Sequence, residues 1–324
     1  MAVVKNYRDM MWVAVLLIAL GRGLEAREQL LTRPVVGILA LPNQGDYNIT
    51  GSAFIDAGYV KWLEMAGARV VPLIITNPWS SLQYLVEHLD GVLFTGGDKD
   101  FFNANGTMTF YAETACAIFD LVKSLNDQGI YYPLWGTCLG FQLLHICVSP
   151  SPETVQYMPD MPGHSALSVF TAAASSSRLL HFPYSAVIKS LMTSENVTFV
   201  SHNSGVPSQE YATNVQLREM YVSLSTMKTL QGVEYGGLIE GLKYPIYGSQ
   251  FHPEKNMFEW WPGETIPHTL SAVAVSTYFA NFFVEEARRN SNQFPSEQDL
   301  QAYLIYNWAP YYWNQDPVQV YLFE

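Results

Sequence analysis

The stretch YPLWGTCLGFQ, residues 132–142, runs from apolar residues into a Gly-x-Cys-x-Gly core, and an apolar segment of helical spacing follows it. This pattern predicts a strand, a tight turn and a helix, with Cys138 at the tip of the turn. Gly136 and Gly140 lack Cβ atoms, which allows the sharp turn and a close approach of strand and helix. Backbone N–H groups and the dipole of a helix N-terminus favour a thiolate at such a position. The alternative is a buried cysteine in a glycine-rich turn, since free cysteines are often buried.

Around this stretch, apolar runs alternate with segments of helical periodicity. Such alternation predicts an α/β fold, a three-layer sandwich with a mostly parallel central sheet. Sites in these sheets lie at the carboxyl ends of the strands, where we find both Gly96-Gly97 and Cys138. The predicted strands are 34–41, 69–75, 91–94, 130–135 and 197–201, followed by a meander over 220–225 and 230–235. The predicted helices are 53–66, 82–89, 111–125 and 270–289.

The composition is that of a globular chain with enough apolar residues for a core. Of 324 residues, 49% are hydrophobic and 14% are charged, which is not a disordered composition. The formal net charge of −12 argues against a nucleic-acid partner, because such proteins need a basic face.

The N-terminus is typical of a secretory signal peptide, which we place at residues 1–26. Lys5 and Arg8 precede the apolar run Met10 to Leu20, and the small residue Ala26 lies beyond it. The run is short for a membrane-spanning helix, although a retained anchor is the alternative. We expect no stable membrane association after cleavage. Three N-glycosylation sequons begin at Asn48, Asn105 and Asn196. They suit a secreted glycoprotein if these asparagines are exposed.

The three cysteines are too few for a disulfide framework. The cysteines are Cys116, Cys138 and Cys147, and because three is an odd number, at least one thiol stays free. No Cys-x-x-Cys pair or clustered His/Cys spacing indicates a metal site.

The segment Phe251-His252-Pro253-Glu254 offers a base for a thiol nucleophile. Pro253 favours an extended backbone before it, and residues i and i+2 of an extended chain point the same way. Glu254 is therefore expected to reach His252 and to fix its tautomer. The alternative is that His252 is only a satisfied polar residue.

Together, the Gly-x-Cys-x-Gly-x-Gln motif and the late His-Pro-Glu resemble the class I glutamine amidotransferase-like superfamily (flavodoxin-like fold). Within it, the chain resembles the gamma-glutamyl hydrolase family of the peptidase C26 type. The resemblance gives a domain over 32–290 and leaves out an aromatic-rich C-terminal tail, 291–324. The matching segments are 34–41, 59–72, 91–97, 135–141 and 244–255.

The resemblance implies a catalytic Cys138 nucleophile, His252 as general acid/base and Glu254 as its orienting partner. The N–H groups of Gly97 and Leu139 would form the oxyanion hole. No metal or organic cofactor is implied.

Three further residues are implied to bind substrate: Tyr59, Gln142 and His202. Tyr59 could instead be a core aromatic residue, and the residues flanking His202 match the family poorly. At Gln142 the family usually has glutamate, so the exact substrate is in question.

The implied substrate is a small γ-glutamyl compound, in the first place a folate polyglutamate. The resemblance also implies a location in the secretory pathway, either lysosome or vacuole or outside the cell, and a possible homodimer. Two rival functions stay open, a glutaminase that passes ammonia to a synthase and a secreted relative without catalysis.

Overall fold

The computed structural model describes residues 33–43, 51–158, 164–313 and 315–324. The predicted signal peptide and Asn48 lie outside these residues. The strands are β1 (Val35–Leu39), β2 (Leu41–Pro42), β3 (Ala53–Asp56), β4 (Arg69–Leu73), β5 (Gly91–Phe94), β6 (Leu134–Thr137), β7 (Gln156–Tyr157), β8 (His164–Ala166), β9 (Val169–Phe170), β10 (Thr198–Val200), β11 (Ser204–Gly205), β12 (Tyr221–Lys228), β13 (Glu234–Gly241), β14 (Ile246–Ser249), β15 (Tyr311–Tyr312) and β16 (Gln319–Phe323).

Ten α-helices are found in the part of the chain that the structure describes. They are α1 (Ala57–Met65), α2 (Trp79–His88), α3 (Phe110–Asp127), α4 (Leu139–Val148), α5 (Ser185–Ser194), α6 (Glu210–Thr213), α7 (Val215–Met220), α8 (Lys255–Phe258), α9 (Leu270–Ala287) and α10 (Glu297–Tyr303). Within the same residues, no helix combines the length and the apolar character needed to cross a membrane.

The central sheet has eight strands in the order β4-β1-β5-β6-β14-β13-β12-β9. The first five are parallel to one another, and the last three continue the sheet antiparallel. All five residues of β1 are buried, as expected of a strand covered on both faces. The predicted α/β class with a mostly parallel central sheet is confirmed.

Helices cover both faces of this sheet and complete the three layers. On one face, the Trp135 ring of β6 lies 5.9 Å from the rings of Trp62 on α1 and of Phe279 and Phe283 on α9. On the other face, α4 packs beside α3. A disulfide between Cys116 and Cys147 joins these two helices.

The helix predicted over 53–66 begins only at Ala57, because residues 53–56 form β3 instead. The C-terminal tail supplies the partner for this strand, since β16 pairs antiparallel with it from Val320 opposite Asp56 to Phe323 opposite Ala53. The four-stranded sheet β15-β16-β3-β2 results. Asp56 then caps α1, accepting a hydrogen bond from the Gly58 N–H at 2.7 Å. Likewise, the strand predicted over 230–235 begins only at Glu234.

Candidate active site

Three neighbouring parallel strands end at the same edge of the sheet, and the central residues of the site follow shortly after them. Gly96 and Gly97 follow β5, Cys138 follows β6, and His252 follows β14. Because β5, β6 and β14 are adjacent, side chains that are distant in sequence meet there, as is usual for parallel sheets. The predicted position at the strand carboxyl ends is confirmed.

Cys138 lies at the turn between β6 and α4, as the Gly-x-Cys-x-Gly pattern predicts. Its backbone has φ 53° and ψ −105°, a strained conformation for a residue with a side chain. The turn is held by hydrogen bonds from the Cys138 N–H to the Ser249 carbonyl at 2.8 Å and from the Gly140 N–H to the Thr95 carbonyl at 2.9 Å. A Cβ on Gly140 would lie 2.2 Å from the Phe94 carbonyl oxygen, so only glycine fits there.

His252 and Glu254 form a buried pair, with 2.7 Å between Nδ1 and Oε1. Their exposed fractions are 4% and 0%. The predicted contact is confirmed, but the backbone enters a turn at Pro253 and Glu254 is helical rather than extended. The backbone N–H of His252 also donates to the Phe199 carbonyl at 2.8 Å. This hydrogen bond holds the His252 backbone against the strand β10.

The surroundings of His252 favour its protonated form. Burial lowers the pKa of this histidine, but the charges of Cys138 and Glu254 and the hydrogen bonds to both outweigh burial and raise the pKa from 6.5 to about 10. Glu254 holds Nδ1, so Nε2 is the ring atom left to exchange protons with a reacting group.

Tyr59, on α1, lies behind the His252 ring. Its hydroxyl accepts a hydrogen bond from the Gly96 N–H at 2.7 Å and is 3.3 Å from Nδ1 of His252. The side chain is 2% exposed. A Cβ on Gly96 would lie 2.5 Å from Cε1 of His252 and 2.6 Å from the Tyr59 hydroxyl, so the three residues are in close contact.

Gly97 and Leu139 line a cleft of about 470 Å³ together with Cys138. Among the residues that the structure describes, neither backbone N–H donates a hydrogen bond within the chain. Donors of this kind beside a nucleophile are suited to an oxyanion.

Gln142 and His202 also line the cleft. The Gln142 side chain donates from Nε2 to the Ser204 carbonyl at 2.7 Å and to Oε1 of Gln250 at 3.4 Å. A glutamate could not make these donations, so the glutamine suits its local partners. The ring of His202 packs edge-on against Tyr235, with 5.5 Å between ring centroids.

Sequence reasoning missed Ser201, which contacts Cys138. Its carbonyl accepts a weak hydrogen bond from Sγ of Cys138 at 3.8 Å, and its hydroxyl donates to Glu264 at 2.9 Å. The available signal was its position at the end of the strand predicted over 197–201.

Neither Asn105 nor Asn196 lines this cleft. Of the sequon residues, Asn105 and Asn196 are exposed, which meets the condition for a glycosylation acceptor. Within the described residues, no group of histidine, cysteine and acidic side chains is arranged to hold a metal ion.

Comparison with known proteins assigns the fold and the family. The structure resembles the glutaminase domain of Trypanosoma brucei CTPS solved with bound acivicin, with a TM-score of 0.51, 15% identity, and coverage of 83% of this chain and 99% of that one. This likeness shows the fold alone, a class I glutamine amidotransferase-like domain.

The sequence comparisons are more specific. The peptidase C26 family model matches residues 34–254. Gamma-glutamyl hydrolase B of Dictyostelium discoideum is 34% identical over 90% of this chain and 83% of the relative. The human gamma-glutamyl hydrolase is 34% identical over 86% of each chain, and gamma-glutamyl hydrolase 1 of Arabidopsis thaliana is 33% identical over 86% of this chain and 79% of its own. The chain therefore belongs to the peptidase C26 family of gamma-glutamyl hydrolases and is an enzyme.

Proposed function

We propose that this enzyme hydrolyses the γ-glutamyl amide bonds of folate polyglutamates through a Cys138-His252-Glu254 acyl-enzyme mechanism. The observation that carries the proposal is the meeting of three features at one edge of the central sheet: a strained cysteine at a helix N-terminus, a buried histidine–carboxylate pair, and two backbone N–H donors. Acyl transfer needs a nucleophile, a base and a stabilised oxyanion.

In the first half of the reaction, the Cys138 thiolate attacks the γ-carbonyl carbon. The carbonyl oxygen becomes an oxyanion that accepts hydrogen bonds from the N–H groups of Gly97 and Leu139. The raised pKa of His252 keeps its ring protonated beside the thiolate, so the ring can give its proton to the leaving amine as the C–N bond breaks.

In the second half, His252 is neutral and takes a proton from water. The hydroxide formed attacks the thioester carbonyl, and the C–S bond breaks to release the γ-glutamyl acid and the thiolate. Glu254 stabilises the imidazolium and holds Nδ1 throughout.

The mechanism is tested by Cys138→Ala. We expect the wild-type enzyme to release glutamate from a pteroyl γ-polyglutamate at mildly acidic pH and the variant to lose activity by about a millionfold, as for other covalent nucleophiles. A serine on the exposed part of α5, changed as Ser194→Ala, is the control and should retain full activity. Retained activity in the Cys138 variant would exclude the mechanism.

The same assay tests the substrate. If the wild-type enzyme ignores polyglutamates but hydrolyses glutamine or another γ-glutamyl amide in a Cys138-dependent manner, the mechanism stands and the folate assignment is wrong. The glutaminase alternative would then be favoured.

We further propose that the protein works in the secretory pathway, in a lysosome or vacuole or outside the cell. The disulfide between Cys116 and Cys147 supports an oxidising compartment, and the exposed Asn105 and Asn196 support glycosylation there. Loss of apparent mass on treatment with a glycosidase specific for N-linked glycans tests this location, and an unglycosylated native protein would argue against it.

A further inference from the structure

Four consecutive residues form one wall of the cleft that Cys138 also lines. They are Ser201, His202, Asn203 and Ser204, and we call them the wall segment. The segment follows β10, and its last residue begins β11. β11 and β7 form a two-stranded sheet with two residues in each strand, and both residues of β7 are exposed. A ribbon of this kind is marginally stable in water, so the position of the wall segment depends on contacts with the rest of the protein.

The start of α4 contacts the wall segment at two points. Sγ of Cys138 lies 3.8 Å from the Ser201 carbonyl, and Nε2 of Gln142 donates to the Ser204 carbonyl at 2.7 Å. Cys138 and Gln142 are four residues apart, which corresponds to about 6 Å of helix rise. A thiol is a weak donor, and a thiolate has no proton to donate. The Gln142 side chain therefore makes the stronger attachment between this helix and the wall segment.

The Gln142 amide is buried, and its two partners differ in how they can adjust. Gln142 is 5% exposed and Gln250 is 0% exposed. Nε2 of Gln142 lies 3.4 Å from Oε1 of Gln250, and within the described residues Nε2 of Gln250 has no hydrogen-bond partner. A turn of the Gln250 amide exchanges its oxygen and nitrogen, so this side chain can face a donor or an acceptor. The Ser204 carbonyl is an acceptor only, and it needs a donor from residue 142.

A glutamine supplies this donor at every pH, whereas a glutamate supplies it only when protonated. An ionised carboxylate has no proton, and its oxygen would face the Ser204 carbonyl oxygen. Burial and this acceptor would raise the pKa of a glutamate at position 142 above its usual value of about 4.3.

Other ionisable groups share the surroundings of Gln142. Tyr235 of β13 packs against His202, and the groups that line the cleft are Asp98, Lys99, Asp100, Cys138 and His202. A ratio of variant to wild type at the same pH cancels the titrations that both proteins share.

We propose that Gln142 is a positioning residue: its uncharged amide holds the wall segment against the helix that begins after Cys138, at acidic and at neutral pH alike. This role differs from the substrate binding that the sequence resemblance implies, because Gln142 acts through the wall residues. The effect on catalysis rests on the proposed function, whereas the attachment of the wall segment does not.

Steady-state kinetics on a γ-glutamyl substrate test the proposal with two variants, between about pH 5 and about pH 8, where buried glutamates can titrate. Gln142→Met removes the donor and should lower kcat/KM about five- to tenfold at every pH. Gln142→Glu should be close to the wild type at the acidic end and should lose activity by a similar factor as the pH rises. A ratio of Gln142→Glu to wild type that does not change with pH would overturn the proposal.

Hydrogen exchange of the free enzyme separates positioning from direct contact with substrate. Without substrate, the backbone amides of residues 202–205 should exchange several-fold faster in Gln142→Met than in the wild type. In Gln142→Glu they should do so only at the higher pH. Altered kinetics with unchanged exchange would support direct substrate contact and overturn the proposal. If the methionine variant does not fold, the glutamate variant decides alone, because protonation restores its donor.

Gln128→Met and Gln128→Glu are the matched controls. Gln128 is exposed directly after α3, and its Nε2 donates to Oγ of Ser124 at 3.2 Å. Both controls should keep the wild-type kinetics and exchange at each pH.

The failure of the proposed function is distinguishable from the failure of this proposal. If polyglutamates are not hydrolysed, another γ-glutamyl amide replaces them in the kinetic experiment. If no γ-glutamyl amide is hydrolysed, the proposed mechanism is wrong, and the exchange data still decide whether Gln142 holds the wall segment.

Discussion

Tyr59 connects His252, the proposed general acid/base, to the loop that carries Gly97, a proposed oxyanion donor. Its hydroxyl contacts both His252 and the N–H of Gly96, one residue before Gly97. The sequence resemblance implies a substrate-binding role for Tyr59. In the structure its side chain is 2% exposed and its hydroxyl is 3.3 Å from Nδ1 of His252. These two contacts favour a role for Tyr59 in positioning His252 relative to the Gly96-Gly97 loop.

We therefore expect Tyr59→Phe to lower kcat by about ten- to a hundredfold while KM changes little. The change leaves the Gly96 N–H without its partner, and a small displacement of reacting groups has costs of this size. Steady-state kinetics on a γ-glutamyl substrate measure both constants. A raised KM with an unchanged kcat would instead support direct substrate contact.

Tyr132→Phe is the matched control for this experiment. Tyr132 is also fully buried, and its hydroxyl donates to the Val86 carbonyl at 2.8 Å, away from the cleft. The Tyr132 variant loses one buried hydrogen bond, and the Tyr59 variant loses the hydrogen bond from the Gly96 N–H and the contact with Nδ1 of His252. Each buried partner left unpaired destabilises a protein by about 1–3 kcal/mol. Only the Tyr59 variant should change the kinetics.

At the scale of elements, the disulfide between α3 and α4 joins α3 to the helix that begins after Cys138. Cys116 and Cys147 are 31 residues apart, and closing a loop of this length stabilises a fold by about 3–4 kcal/mol in the chain-entropy model. We expect the double change Cys116→Ser and Cys147→Ser to lower the free energy of unfolding by about that amount.

Urea unfolding in a Cys138→Ala background measures this effect without thiol exchange. The single variant Cys138→Ala, with the disulfide intact, is the reference. A reducing agent should lower the stability of the reference and leave the double-serine protein unchanged. Equal stability of the two proteins under oxidising conditions would show that the disulfide is dispensable.

At the scale of the whole molecule, the contribution of Asp56 to the free energy of unfolding should fall as the pH rises from about 4 to about 8. His145 contributes in the opposite direction between about 4 and 6.5, because burial lowers its pKa from 6.5 to about 4. Burial raises the pKa of Asp56 from 3.8 to about 8, against a lowering effect of Lys255 and with further raising effects of Glu254 and Glu259. Between these values the folded protein binds more protons than the unfolded chain, so each rise in pH favours unfolding. Above pH 6.5, His252 also lowers the stability as the pH rises. Its raised pKa means that its contribution to the free energy of unfolding is fully present below pH 6.5 and is lost as the pH approaches 10.

The variant Asp56→Asn isolates the first contribution. Its amide oxygen can still accept the hydrogen bond from the Gly58 N–H, so the cap on α1 is retained. Thermal or urea unfolding should be measured between pH 5 and pH 8, about the range over which the protonated and ionised forms of Asp56 exchange. We expect the stability of the variant relative to the wild type to increase as the pH rises. Parallel stability curves would contradict the assignment.

Much of the fold and of the candidate site is predictable from local patterns. The glycines around Cys138 specify a turn, and the buried runs of β1 and β5 specify parallel strands, because these signals depend on residues close in sequence. The short segment from His252 to Glu254 likewise predicts its own contact. From a parallel sheet, the meeting of Gly97, Cys138 and His252 at one edge then follows.

The tertiary structure alone decided what depends on distant partners. Residues 53–56 have a helical pattern but form β3, since β16 at the far end of the chain offers hydrogen bonds that a local pattern cannot indicate. The pairing of Cys116 with Cys147, the contact of Tyr59 with His252 and the ion pair between Asp316 of the C-terminal tail and Lys255 are of the same kind. The sequence by itself determined the turn that carries Cys138, the fold class and the family, because these signals lie in residues that are close together in the chain. Packing between distant segments determined which side chains surround the site, because those contacts form only in the folded chain.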